Sequence, residues 1–113
     1  MVDDDPSLRH WCERVLERLG WFVTTVTCGQ EALDTYSPDF DLILSDMQMP
    51  GINGLSLAEI LRQRRCGVHI VLMSGAWEPE QLSRLATLGV KHYLRKPFSI
   101  QDLAAVLESA DYA

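Results

Sequence analysis

Along its whole length the chain alternates strand-like with helix-like segments, and no two strand segments lie close enough to form a hairpin. A chain that returns to its sheet only through helices must lay its strands parallel, with helices covering both faces. The helical segments are PSLRHWCERVLERLG (6–20), GQEALDTY (29–36), LSLAEILRQRR (55–65), PEQLSRLATLG (79–89) and SIQDLAAVLESA (99–110). Between them run WFVTTV (21–26), LILS (42–45), HIVLM (69–73) and VKHYL (90–94), and Met1-Val2 precedes them all. In the first helix Leu8, Trp11, Cys12, Val15, Leu16 and Leu19 share one face, Asp5 stands at the N-cap position, Pro6 at the first turn and Gly20 past the end. Gly89 stops the fourth helix, and Ser99 with Asp102 forms a variant capping box for the fifth.

A chain of 113 residues makes one domain with a real core. A central parallel strand usually has about five or six residues, so Met1-Val2 is short for one. The first strand is therefore expected to be shortened, and residues 1–113 to be part of a longer chain that supplies apolar residues before Val2. The net charge of -6, with ten dispersed cations, argues against a nucleic-acid-binding surface. Neither an apolar run of about 20 residues nor a basic leader with an apolar core is visible, so no membrane anchor is expected and a cytoplasmic setting is the default. Cys12, Cys28 and Cys66 lack metal-ligand spacing and read as buried free thiols; His10, His69 and His92 also lack it.

Residues just past the ends of parallel strands collect along one edge of the sheet, where ligands bind. That edge gathers Asp3 and Asp4 after the first strand, Asp46 after LILS, Ser74 after HIVLM and Lys96-Pro97 after HYLR. Each has a plainer reading taken singly: an acidic helix start, a turn-fixing aspartate, a loop serine, a surface lysine. Together they form a more specific set, because each falls at the same end of a different strand. Three crowded carboxylates repel, which raises at least one pKa unless a cation intervenes. Mg²⁺ takes a few oxygen ligands, keeps several waters and bridges carboxylates to phosphoryl groups. With Lys96 as a second positive charge and Ser74 as a donor, such an edge suits phosphoryl transfer to a carboxylate nucleophile.

These residues resemble the receiver domain of two-component response regulators, and the likeness covers essentially the whole chain. VDDDPSLR resembles the family's acidic opening, LILSDMQMPGINGL its phosphoacceptor segment, IVLMSGA its switch-hydroxyl segment and HYLRKPF its lysine-proline segment. The resemblance implies an α/β fold, a doubly wound five-stranded parallel sheet of order 2-1-3-4-5, flavodoxin-like, with the first strand shortened. It makes Asp46 the phosphoacceptor, with Asp4, the Asp46 carboxylate and the Gln48 backbone carbonyl holding Mg²⁺ (or Mn²⁺) and Asp3 contributing through water. Lys96 would pair with Asp46 and then with the phosphoryl oxygens, across a cis Lys96-Pro97 peptide. Ser74 would be the switch hydroxyl and Tyr93 the switch aromatic; Asp5 matches no ligand position and stays a helix cap. Ala76 has no group able to orient water, which implies modest autodephosphorylation.

The implied partners are a histidine kinase or phosphotransfer protein, and an output domain or second copy meeting the surface of the fourth helix, fifth strand and fifth helix. The domain is not read as an enzyme in its own right but as a phosphoacceptor that catalyses its own modification. A rival reading is a pseudo-receiver, an interaction module that keeps the fold without taking phosphate. An aspartyl-nucleophile phosphatase would carry a second acid where Gln48 stands, and a dinucleotide-binding domain would need a GxGxxG after the first strand. Met47, Met49 and Met73 read as packing residues around the site, and Trp77 as packing against the fourth helix or as part of a partner surface.

Overall fold

The computed structural model describes residues 1–111. Its elements in chain order are α1 (Pro6–Arg18), α2 (Gly29–Thr35), β1 (Leu42–Asp46), α3 (Gly54–Gln63), β2 (His69–Ser74), α4 (Pro79–Thr87), β3 (His92–Arg95) and α5 (Ile100–Asp111). β1, β2 and β3 form a parallel sheet in that order, with Asp46 opposite Met73 and Ser74 opposite Arg95. Beyond β1, Val2 bridges both Ser45 and Val26 in parallel, so the spatial order is Val26, Val2, β1, β2, β3.

That is the expected 2-1-3-4-5 order, with the first two strands each reduced to one bridged residue. WFVTTV is therefore not a full strand, and the reason is pairing rather than propensity. Met1 and Asp3 exchange backbone bonds with Val26, while Val2 bonds Leu44 and Asp46. Among the described residues Val26 alone of this segment is bridged to Val2, and Phe22 is fully exposed.

Alternation within the strands divides the core into two layers. Ile43, Ile70 and Leu72 join Leu57, Leu61 and Leu85 of α3 and α4 on one face. Leu44, Val71 and Met73 join Val15 and Leu16 of α1 and Leu103 and Leu107 of α5 on the other. Both sides of β1 and β2 are thus covered, which accounts for their unbroken apolar runs.

The helix ends follow the sequence signals. The Asp5 carboxylate accepts the Ser7 amide, and Ser99 and Asp102 exchange bonds at the start of α5. Gly20 and Gly89 follow α1 and α4 at positive φ, whereas α3 ends with Arg65 in that region at φ 60°. Asn53, whose side chain accepts the Ser56 amide, starts α3 one residue earlier than the apolar pattern indicates.

The thiols differ from one another: only Cys12 is fully buried, while Cys28 and Cys66 are partly exposed. Burial pushes the Cys12 thiol up to about 12. At neutral pH the native chain should take two equivalents of a thiol-alkylating reagent quickly and the third only on unfolding, read by mass spectrometry.

Candidate functional site

β1 and β2 end side by side, and their last residues are polar. Asp46 and Ser74 are 6% and 1% exposed, so both belong to the strands that carry them rather than to the loops beyond. The chain leaving β1 stays attached to the sheet through the Met47 amide on the Met73 carbonyl at 2.7 Å. Met47, Met49 and Met73 are all buried, as packing residues should be. Lys96 follows β3, its amide bonding the Ser74 carbonyl at 2.8 Å and its Nζ lying 3.1 Å from Asp46 Oδ1. The Lys96-Pro97 peptide is cis.

Asp3 and Asp4 arrive beside Asp46 because Val2 is bonded into the sheet next to Ser45. One carboxylate oxygen from each of Asp3, Asp4 and Asp46 lies within 4.8 Å of the other two. Asp4 is exposed, whereas Asp3 is buried. Asp3 Oδ1 accepts the Asp5 amide at 2.8 Å, and its Oδ2 is buried without a partner. Burial pushes the Asp3 carboxyl above its ordinary range, the Asp5 amide pulls it back, and the Asp46 charge adds to the rise. Crowding thus contributes, as the sequence implies, but desolvation is the larger cause.

An orphaned buried oxygen on a carboxylate clustered with two others fits a hard divalent cation, which takes oxygen ligands and relieves their repulsion. Asp3 bears an upward-shifted pKa, so its ionised form costs stability at neutral pH, and that cost vanishes as pH falls through the folded value. Asp3→Asn should therefore melt no lower than the native chain in chelator, yet lose most of the rise in Tm that Mg²⁺ gives the native chain. Saturation at a hundredfold excess over Kd corresponds to about 2.7 kcal/mol. An equal Mg²⁺ shift in both proteins would count against the site.

Gln48 is exposed, its amide 3.4 Å from Asp46 Oδ1. The Ser74 hydroxyl donates to the Ala76 carbonyl at 2.9 Å and accepts the Ala76 amide at 3.3 Å, folding the following loop back on itself. Tyr93 lies on the outside of β3, 45% exposed. All seven residues singled out from the sequence therefore lie at or beside the carboxyl edge of the sheet.

Two contributors escaped the sequence reading, and a third, Trp77, was read only in part. Arg9 donates from α1 to the Asp3 carbonyl at 3.0 Å, tying the helix to the acidic segment. Gly54 donates its amide to the Met47 carbonyl at 2.9 Å, and a Cβ there would lie 2.6 Å from the Asp46 carbonyl oxygen. Trp77 packs against the layer containing Leu85 of α4, the plainer of its two readings, but also donates its indole N–H to Leu94. The Asn53-Gly54 pair before an apolar run was the available signal for Gly54; nothing local marks Arg9 or the acceptor of the Trp77 indole.

The model of the response regulator receiver domain matches residues 1–108. The chain belongs to the receiver domain family. Its relatives include the response regulators SaeR of Staphylococcus epidermidis and of Staphylococcus aureus, 30% and 29% identical over 103 residues, or 91% of this chain. The receiver chain spans 45% of the length of those two relatives. Among solved structures, the non-phosphorylated HemR receiver domain of Leptospira biflexa superposes with a TM-score of 0.89 at 26% identity, covering 96% of this chain and 89% of that one. The chemotaxis response regulator CheY4 of Vibrio cholerae gives 0.85 at 28% identity, covering 96% and 93%. Receiver domains are phosphoacceptors of two-component systems that bind Mg²⁺ at an acidic pocket, and response regulators interact with histidine kinases and output domains. Among the described residues no helix is long and apolar enough to cross a membrane.

Proposed function

We propose that this receiver accepts a phosphoryl group from a histidine kinase or phosphotransfer protein onto Asp46, in a Mg²⁺-dependent reaction. The observation that carries this reading is the pairing of one buried carboxylate with opposite environments: Lys96 Nζ at 3.1 Å from one oxygen, and the Asp3-Asp4 carboxylates within 4.8 Å. The Asp46 carboxylate attacks phosphorus in line, the bond from phosphorus to the imidazole nitrogen of phosphohistidine breaks, and the imidazole leaves with its electron pair and takes up a proton. Asp4, Asp46 and the Gln48 carbonyl would hold Mg²⁺ (or Mn²⁺) directly and Asp3 through water, supplying positive charge against the phosphoryl oxygens. Lys96 shifts from the carboxylate to the new phosphoryl oxygens and neutralises part of the charge that develops.

The acyl phosphate adds about -1.5 to -2 charge. Ser74 releases the Ala76 carbonyl to donate to it, and Tyr93 moves inward. The face of α4, β3 and α5 then changes its balance between two states, and an output domain or a second copy reads that face. With Ala76 offering no side chain to orient water, autodephosphorylation is slow. The setting consistent with this chemistry is cytoplasmic, without contact to membrane or nucleic acid by this domain.

The test is incubation with a small acyl phosphodonor and Mg²⁺. Hydroxylamine-sensitive addition of one phosphoryl group, lost in chelator, is expected; no addition at saturating donor would leave a pseudo-receiver, a binding module of the same fold.

A further inference from the structure

Beyond the polar edge, one aromatic side chain is held at three points. The Trp77 indole N–H donates to the Leu94 carbonyl at 2.9 Å. Leu94 pairs with Met73, so this bond lands where β2 and β3 end, one residue from Ser74. The indole ring also lies against Tyr93, with centroids 5.1 Å apart and planes at 59°. Trp77 also packs against the core layer that contains Leu85 of α4. One side chain thus joins the loop after Ser74 to the end of β3 and to that core layer.

The loop is held at a second point immediately upstream. Ser74 and Ala76 exchange two bonds, and Ala76 is joined to Trp77 by a single peptide. A hydroxyl that turns toward Asp46 must release the Ala76 carbonyl, and that movement pulls on the residue carrying the indole. Tyr93 meanwhile is exposed, with the indole packed beside it. A part-buried indole N–H that loses its acceptor is costly, so the Trp77 bond resists the movement until the loop offers another partner or water.

We propose that Trp77 is a positioning residue of this receiver's switch: it fills the space between the Ser74 loop and Tyr93 and holds both in their resting places, so Tyr93 turns inward only when the indole leaves Leu94. The inference rests on the phosphoacceptor reading above and adds a group that the reading does not require. Two contributions are separable. Phenylalanine keeps most of the ring but removes the N–H, whereas alanine removes the volume as well.

The experiment uses beryllium fluoride with Mg²⁺ as a phosphoryl mimic on the ¹⁵N-labelled chain, with W77F assigning the Trp77 indole resonance. Solvent exchange of that indole N–H is expected to accelerate about tenfold or more on adding the mimic. In the unphosphorylated state, W77F and W77A should already move the fluorotyrosine signal of Tyr93 toward its mimic-bound position. Phosphoryl uptake from a small donor should rise about threefold or more in the same variants, because conformers resembling the product become populated. If the mimic shifts the amides of Met47 and Lys96 while the indole stays bonded, the proposal is overturned and the phosphoacceptor reading stands. Unchanged Tyr93 signal and uptake in W77F would overturn it equally, and W77F keeps that test open should W77A fold poorly. Should neither the amides nor the indole respond, the phosphoacceptor reading fails and takes this proposal with it.

Discussion

Asp46→Asn should abolish phosphoryl uptake while leaving the fold in place. Asparagine matches aspartate in shape, so the substituted side chain can occupy the same slot at the end of β1, where the native one is 8% exposed. What disappears is chemistry: a neutral amide oxygen is a poor nucleophile, and the Lys96 ammonium loses the anion it faces at 3.1 Å. One of the three carboxylates near the candidate cation position is removed as well. The stability change is the balance of a lost ion pair and a relieved repulsion on Asp3, and should stay within about 1 kcal/mol. Intact mass after exposure to a small phosphodonor gives the reading, with circular dichroism as the check on folding. Labelling of the variant at the native rate would place the acceptor elsewhere and remove the central assignment.

Gly54→Ala carries the second large expected effect, through sterics at the backbone of the acceptor. A Cβ at this position would meet the Asp46 carbonyl oxygen at 2.6 Å and the Met47 Cα at 3.0 Å. Both are backbone atoms held by the Met47 and Gly54 hydrogen bonds, so neither can swing aside as a flexible side chain would. Alanine gains up to about 1 kcal/mol over glycine as a helix former, but overpacking of this kind costs about 1–3 kcal/mol. The clash outweighs the propensity because Gly54 opens α3, where propensity counts least. We expect a fall in Tm of the order of 10 °C and a slower uptake of phosphate, since the displaced atoms belong to the acceptor and its neighbour. A variant that melts at or above the native temperature would contradict the contact.

Why Asp46 was legible in the sequence and Gly54 was not has a physical basis. Strand direction is encoded by alternation of elements, and it alone sends Asp3, Asp4, Asp46, Ser74 and Lys96 to one edge. The helices were equally plain, because Asp5, Gly20, Gly89, Ser99 and Asp102 mark their ends through local bonds or local backbone angles. Gly54 matters because α3 starts against the end of β1: the Asn53-Gly54 pair could mark the start of the helix, but not its contact with the Asp46 backbone. Trp77 is similar: its size announces packing, yet its acceptor lies 17 residues away on Leu94. The segment 21–26 failed in the opposite direction. Its β-branched and aromatic residues favour a strand, but a strand exists only where another backbone ladder stands beside it; among the described residues of this segment Val26 alone is bridged, with one further bond from the Met1 amino group to the Thr24 carbonyl.

The single bridged residue Val2 has a consequence for how this edge behaves in time. Asp3 and Asp4 are joined to the sheet through Val2, whose bonds to Leu44 and Asp46 make up the ladder on that side of β1 among the described residues. Backbone amides in β2, covered on both faces, should exchange with deuterium only through global opening, whereas those of Val2, Asp3 and Val26 should exchange through a smaller, local excursion. Two of the three clustered acids thus follow directly on a residue joined to β1 by two backbone bonds. A cation drawn into the cluster binds the closed form of this segment, so it should slow exchange at Val2, Asp3 and Val26 more than in β2.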